Sequence, residues 1–175
     1  MDDSELPDLR GLPDELIGVA PPRTGDIDDI DEIDSVSGAM GELGGVPGGR
    51  HEARERAMHL LYEAEQKRLD LNDLLAQLPV APDPYAVGLV EGVAASRPEI
   101  DETISACARG WTLHRMPALD RAVLRIATYE LAHRPDVPTG AVINEAVELA
   151  KTYSTADSGR FVNGVLSAVA KRVRP

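Results

Sequence analysis

Apolar residues in the last third of the chain follow the spacing of amphipathic helices. From residue 143 to residue 151 they recur at i, i+3, i+4 and i+7, which predicts a helix with one buried face. The residues on that face are Ile143, Ala146, Val147 and Ala150. Residues 162–173 repeat the spacing, so a second helix is predicted to pack on the same core. Asp157 precedes that second helix and is a candidate N-cap, because its carboxylate can accept from unpaired N–H groups.

Five further helices are predicted upstream, and no stretch shows the alternation typical of a β-strand. Their predicted ranges are 50–68, 71–78, 84–96, 99–109 and 118–134. Asp83 and Pro84 form an N-cap and first-position pair, whereas Arg97-Pro98 is predicted to break the chain between two helices. The pattern therefore predicts an all-α protein with seven helices.

Asn163 and Gly164 lie inside the last predicted helix, where both lower the helix propensity. One interpretation is structural: Gly164 allows a neighbouring helix to approach, and Asn163 bonds to a nearby backbone group. The other interpretation is functional. The residues alone leave both open.

The acidic charge of the chain is concentrated in its first 48 residues. They hold 13 of the 30 acidic side chains and 2 of the 18 basic ones, so residues 49–175 carry a net charge of only −1. A segment rich in Asp, Gly and Pro cannot bury enough apolar surface to offset its ordering entropy. Residues 1–48 are therefore predicted to form a disordered acidic arm, and residues 49–175 a helical domain.

The remaining composition favours a soluble cytoplasmic protein with no membrane segment. Cys107 is the only cysteine, so no intramolecular disulfide can form, and its position three residues after Ile104 predicts a buried small side chain. No apolar run approaches the roughly 20 residues that span a bilayer. The N-terminus also lacks the basic and apolar regions of a secretory signal.

The sequence contains no recognisable catalytic or metal-binding pattern. The four histidines lack the H-x-x-x-H or cysteine spacing of a metal site. No G-x-S-x-G, phosphate-binding loop or dinucleotide fingerprint is present. We therefore expect no catalytic activity, no metal ion and no cofactor.

Four cationic residues occupy the first two turns of the first predicted helix, namely Arg50, His51, Arg54 and Arg56. Cations at a helix N-terminus oppose the helix dipole, so an anionic partner such as RNA would offset their cost. Alternatively, they belong to a solvated face and pair with glutamates at helical spacings, namely Glu52, Glu55 and Glu63. The residues alone do not decide between these interpretations.

Six motifs follow one another along residues 49–174. They are RHEARERAMHLLYEAE (50–65), PYAVGLVEGV (84–93), W-x-L-x-R (111–115), DRAVLRIATYEL (120–131), INEAVELAK (143–151) and FVNGVL (161–166). In order and spacing they resemble the motifs of the NusB family of transcription antitermination proteins. The resemblance implies an all-helical fold of two packed bundles and no catalytic activity.

The resemblance also implies partners and contact residues. Family members bind the boxA element of ribosomal leader RNA together with the ribosomal protein NusE, in an antitermination complex with other factors on RNA polymerase. By motif position, the expected RNA contacts are Arg50, His51, Arg54, Tyr62, Asp157, Ser158, Arg160, Phe161 and Asn163. The expected contacts to NusE lie on the helix with the D-R-A-x-L-R pattern and are Arg121, Arg125, Tyr129 and Glu130.

Four positions on the expected RNA surface carry more detailed expectations. Tyr62 is a candidate for base stacking, with half-buried packing as the alternative. Asp157 cannot attract phosphate, so we expect it to cap its helix or to accept from a base edge. His51 and Glu52 stand where some family members have arginine, which weakens the expected basic patch.

Two other functions fit parts of the pattern. In the first alternative, the chain is a helical scaffold or homodimer whose first helix binds a protein and which binds RNA only weakly. A NusB-like accessory domain of an RNA methyltransferase would need a Rossmann domain after the bundle, and none is present before Pro175. RNA binding separates the first two functions, because it weakens with salt by about −0.7 in log–log slope per phosphate contacted.

The acidic arm joins the chain beside the arginine-rich helix, and we expect it to compete with RNA for that surface. Screening over roughly 8 Å at 0.15 M salt restricts this competition to close approach. Deletion of residues 1–48 is therefore expected to tighten RNA binding and to change its salt slope, as measured by fluorescence anisotropy at several salt concentrations. An unchanged affinity and slope would contradict this expectation.

Overall fold

The computed structural model describes residues 49–175, and every regular element among them is helical. The seven α-helices are α1 (Gly49–Lys67), α2 (Leu71–Ala76), α3 (Pro84–Ala95), α4 (Arg97–Cys107), α5 (Ala118–His133), α6 (Thr139–Tyr153) and α7 (Ser158–Val173). The predicted all-α class with seven helices is thereby confirmed. The arm predicted for residues 1–48 lies outside the described residues. None of the described helices is long and apolar enough to cross a membrane.

Helix α5 lies at the centre of the described structure. Helices α1, α2 and α3 form one packed group, α4, α6 and α7 pack around α5, and α5 also contacts α1 and α3. Ten of its 16 residues are buried, and four of these are polar. A helix enclosed in this way must satisfy its buried polar groups with partners from its neighbours. These polar partners determine the geometry of the candidate site.

The buried face of α6 is rotated from the predicted one. Its buried residues are Val142, Ala146, Leu149 and Ala150. Ile143 and Val147, which were predicted to be buried, are only partly so. Because α6 packs against both α5 and α7, two neighbours set its buried face, and the apolar spacing within α6 does not identify both.

Asp157 is the N-cap residue of α7, but its side chain does not cap the helix. Asp157 is exposed and its side chain makes no capping hydrogen bond. Ser158 Oγ donates to Asp120 Oδ2 of α5 at 2.8 Å and accepts from the Thr155 N–H at 3.1 Å. The predicted N-cap position is therefore confirmed, but the capping bond expected from the Asp157 carboxylate is absent, and Ser158 instead joins the start of α7 to α5.

Two smaller predictions also differ from the structure. Pro98 does not separate two helices but lies in the first turn of α4. Backbone N–H groups in a first turn have no partner within the helix, so a proline there costs no intrahelical hydrogen bond. The helix accordingly begins at Arg97. Cys107, at the end of α4, is only partly buried.

A close helix approach occurs at Gly92 in α3 and not at Gly164, for which it was one of the two interpretations left open. A Cβ atom on Gly92 would overlap the Tyr129 ring of α5, whereas the space beside Gly164 is open. Glycine in a helix interior costs about 0.5–1 kcal/mol relative to alanine. At Gly92 the contact between α3 and α5 offsets this cost.

Gly92→Ala is expected to destabilise the protein by about 1–3 kcal/mol, because the added methyl group must displace the Tyr129 ring. Urea denaturation measures the change in the free energy of unfolding. Gly88→Ala, one turn earlier in α3, is the matched control. The space beside Gly88 is open, so this change is expected to be neutral or to stabilise by about 0.5–1 kcal/mol. Equal effects of the two substitutions would contradict the prediction.

Candidate nucleic-acid interface

The start of α1 carries both exposed and buried cations. Arg50, His51 and Arg56 are exposed, whereas Arg54 is only 5% exposed. Arg54 lies one turn after Arg50, but its guanidinium points into the fold. The expectation that Arg54 contacts RNA directly is therefore corrected, because its side chain is enclosed by α3, α5 and α6.

Arg54 forms a bidentate ion pair with Glu130 of α5. Its Nε and Nη2 atoms donate to the two carboxylate oxygens at 2.9 Å each, and the Tyr85 hydroxyl of α3 donates to the same carboxylate at 2.5 Å. Burial, together with the Glu130 carboxylate, raises the pKa of Tyr85 to about 12. The hydroxyl therefore remains a donor near neutral pH. Because Glu130 is 1% exposed, Arg54 and Tyr85 together satisfy a charge in the core.

The Tyr85 ring is surrounded by three guanidinium groups. The Cζ atoms of Arg50, Arg54 and Arg134 lie 5.4, 5.7 and 5.0 Å from its centroid, within the range of cation–π attraction. Arg134 follows α5 and also donates to Asp136 at 3.1 Å. Tyr85 and Arg134 therefore border the start of α1. The sequence analysis missed both residues, because no motif links them to α1.

His51 contacts α6 through Glu145. Its Nδ1 atom donates to Glu145 Oε2 at 2.8 Å, and the same oxygen lies 3.7 Å from Arg54 Nη1. The pairs that His51 and Arg54 make with Glu145 and Glu130 span 94 and 76 positions of the sequence. Helical spacing within α1 therefore does not predict them.

The turn between α6 and α7, with the first residues of α7, holds the second group of predicted RNA contacts. Asp157 and Arg160 are exposed there, and Phe161 and Asn163 are partly buried. Ser158 is 1% exposed. Its predicted RNA contact is corrected to an internal role, because its hydroxyl is enclosed and bonds to α5.

Helix α1 and the α6–α7 turn meet at Tyr153, the last residue of α6. The Tyr153 hydroxyl donates to Glu55 of α1 at 2.6 Å, and its ring meets the His59 ring edge-on with the centroids 5.0 Å apart. The hydrogen bond to Glu55 raises the pKa of Tyr153. Tyr62 follows His59 by three residues in α1 and is 37% exposed. The two predicted RNA segments are therefore neighbours in space.

Three of the four residues expected to contact a protein partner form internal ion pairs. Glu130 is held in its buried pair. Arg125, 6% exposed, donates to Asp101 of α4 at 2.7 and 3.0 Å and to Glu65 of α1 at 3.0 Å. Arg121 pairs with the same Glu65 carboxylate. The docking role expected for Arg125 and Glu130 is corrected, because both are buried and pair with neighbouring helices. Arg121 is partly exposed, and its contact with a partner stays a prediction.

The two arginines keep Glu65 in its charged form. The hydrogen bond from Arg121 is the largest cause that lowers the pKa of Glu65; burial opposes it, and Arg125 adds to the lowering. A pKa that is depressed in the folded state contributes stability above the ordinary value of 4.5, and that stability is lost as the pH falls further. The network therefore joins α1, α4 and α5 fully at neutral pH.

Tyr129, the fourth expected partner contact, remains partly exposed. Its ring packs over Gly92 and lies 5.2 Å from the ring of His133, which is exposed at the end of α5. A contact between Tyr129 and a partner stays a prediction.

The exposed groups of this surface suit a polyanion that also presents unpaired bases. Arg50 and Arg160 offer positive charge, and Tyr62 offers an aromatic face, the combination by which proteins bind single-stranded nucleic acids. Among residues 49–175, no cluster of His, Cys, Asp or Glu side chains is arranged to hold a metal ion.

Comparison with known proteins identifies the family. The model of the NusB family matches residues 51–171. The chain belongs to the NusB family. Transcription antitermination protein NusB of Saccharopolyspora erythraea is 53% identical over 129 residues, which cover 70% of this chain and 87% of that protein.

Solved NusB structures share the fold. T. maritima NusB matches with a TM-score of 0.66 and 37% identity, covering 72% of this chain and 93% of that one. A structure of antitermination factors NusB and NusE in complex with dsRNA contains a chain that matches with a TM-score of 0.62 and 27% identity, covering 73% of this chain and 99% of that one. The NusB-like fold predicted from the sequence is confirmed.

Glu130→Ala is expected to destabilise the protein by about 3–5 kcal/mol, because it leaves the Arg54 guanidinium buried without its counter-ion. Urea denaturation of the purified variant measures this loss. The double variant Arg54→Met/Glu130→Met is the control. It removes both charges and is expected to recover most of the stability. A loss below about 1 kcal/mol for Glu130→Ala would contradict the assigned role of the pair.

Proposed function

We propose that this NusB-family chain is a transcription antitermination factor. It binds boxA RNA of ribosomal leaders together with the ribosomal protein NusE, in an antitermination complex on RNA polymerase in the cytoplasm. The observation that carries the proposal is that Tyr153 brings the α6–α7 turn against α1. The antitermination protein that is 53% identical, and the similar NusB chain solved with NusE and dsRNA, support it. The activity is binding, and no chemical step is required of the chain.

The exposed side chains divide the recognition of RNA between phosphates and bases. Arg50 contacts phosphate at the first turn of α1, and Arg160 contacts phosphate beside the α6–α7 turn. Tyr62 stacks on an unpaired base. Asp157 accepts from the amino group of a base edge, because a carboxylate repels phosphate.

Because Arg54 and His51 at the start of α1 are already paired, tight binding of RNA is expected to need NusE. Arg54 is paired with Glu130 and His51 is bonded to Glu145, so Arg50 and Arg56 carry most of the attraction in the first two turns of the helix. A few phosphate contacts give weak binding at physiological salt. NusE supplies the missing contacts, and the internal pairs of α5 hold that helix in place.

Arg50→Ala is expected to weaken the binding of fluorescein-labelled boxA RNA about tenfold in the presence of NusE, because one charge-assisted phosphate contact is lost. The log–log salt slope is expected to fall in magnitude by about 0.7. Fluorescence anisotropy measures both. Lys67→Ala is the matched control, because it removes one exposed positive charge from the other end of α1, roughly 25 Å away. Equal losses for the two variants would contradict the assignment of phosphate binding to Arg50.

The same titration tests the function as a whole. Wild-type protein is expected to bind the RNA more tightly with NusE than without it. If the RNA does not bind under either condition, the chain is a helical scaffold or homodimer with the NusB fold. Analytical ultracentrifugation would then identify the homodimer.

A further inference from the structure

Glu145 reaches from α6 to the predicted RNA surface at the start of α1. Its Oε2 atom accepts from His51 Nδ1 at 2.8 Å and lies 3.7 Å from Arg54 Nη1. The contact lies at the solvent boundary, since the side chains of His51 and Glu145 are 45% and 28% exposed. An anionic ligand that approaches the first turns of α1 therefore meets this carboxylate.

The Glu145 carboxylate is not needed to neutralise Arg54. Both oxygens of Glu130 already accept from Arg54 at 2.9 Å, and the guanidinium makes a further bond to the Arg50 carbonyl at 3.4 Å. Glu145 thus adds a negative charge beside an arginine whose charge is already compensated. Within residues 49–175, the one direct hydrogen-bond partner of its carboxylate is His51.

The position of the Glu145 oxygen is one that a phosphate oxygen would occupy. It accepts from a ring N–H near the N-terminus of a 19-residue helix, where the helix dipole favours anions. A phosphate that accepts from His51 Nδ1 must therefore displace Glu145. A phosphate that binds elsewhere on the first turn is repelled by it at short range, because screening is weak within about 8 Å at 0.15 M salt.

We propose that Glu145 is an intramolecular competitor of RNA phosphate. It holds His51 in the RNA-free protein and lowers the affinity of the α1 surface for RNA. This inference rests on the proposed function and adds a residue, Glu145, that weakens RNA binding. The competition makes binding of isolated RNA weak, so that the partner protein determines which RNA is retained. If Glu145 instead oriented His51 towards phosphate, removal of its charge would weaken RNA binding.

Glu145→Gln tests the proposal, because the amide keeps the size of the side chain and removes its charge. Binding of labelled boxA RNA in the presence of NusE is expected to tighten about fivefold, the equilibrium equivalent of a partly exposed ion pair. Glu148→Gln is the matched control: Glu148 lies three residues later on α6, is exposed and pairs with Lys151 at 2.9 Å. It loses the same charge away from His51 and is expected to change the affinity less than twofold.

A double-mutant cycle with His51→Ala separates displacement at His51 from a general charge effect. If Glu145 acts by holding His51, the gain from Glu145→Gln falls below twofold in the His51→Ala protein. A gain that persists there, or a Glu145→Gln protein that binds no more tightly than Glu148→Gln, would overturn this inference and leave the proposed function standing. Absence of RNA binding by every variant, with NusE present, would overturn both. Thermal unfolding of each variant confirms that the proteins compared are folded.

Discussion

A buried carboxylate in the central helix determines how the parts of this protein fit together. Glu130 of α5 is almost fully enclosed, and an isolated charge in such a place would cost several kcal/mol. Arg54 from α1 and Tyr85 from α3 offset that cost, because together they donate three hydrogen bonds to its two oxygens. The need to neutralise the buried Glu130 charge thereby holds α1 and α3 against α5. The Glu65 network with Arg121 and Arg125 joins α1 to α5 at a second place and adds α4 through Asp101.

This arrangement withdraws positive charge from the surface where RNA is expected. Arg54 stabilises the fold and is not available to phosphate, and His51 is bonded to a second carboxylate at the edge of the same surface. Arg50 remains exposed over the Tyr85 ring. Stability and RNA affinity therefore draw on the same side chains at the start of α1, namely Arg50, His51 and Arg54. Positive charges at the N-terminus of α1 are unfavourable because of the helix dipole, and carboxylates from other helices offset this cost.

The fold was largely predictable from the sequence because helices and their ends depend on local spacing. Seven helices, the capping pair at Asp83 and Pro84, and the family motifs all follow from residues within a few positions of one another. The candidate site was predictable only in outline. Arg54 and Arg50 are indistinguishable by spacing, and Ser158 and Asp157 are adjacent and both polar. In each pair a contact with α5 decides which side chain is buried, and that contact joins residues far apart in the chain.

The electrostatic character of α1 therefore belongs to the tertiary structure and not to the helix. Its sequence suggests a basic patch, yet Glu130 and Glu145, 76 and 94 positions away from their partners, determine how much of that charge a ligand meets. The two carboxylates act differently because their burial differs. Glu130 cannot leave Arg54 without exposing an uncompensated buried charge, whereas Glu145 is partly solvated and can release His51 at little cost. On the proposed competition, a substitution at Glu145 of α6 is expected to change RNA affinity without weakening the core, whereas a substitution at Glu130 of α5 is expected to alter both.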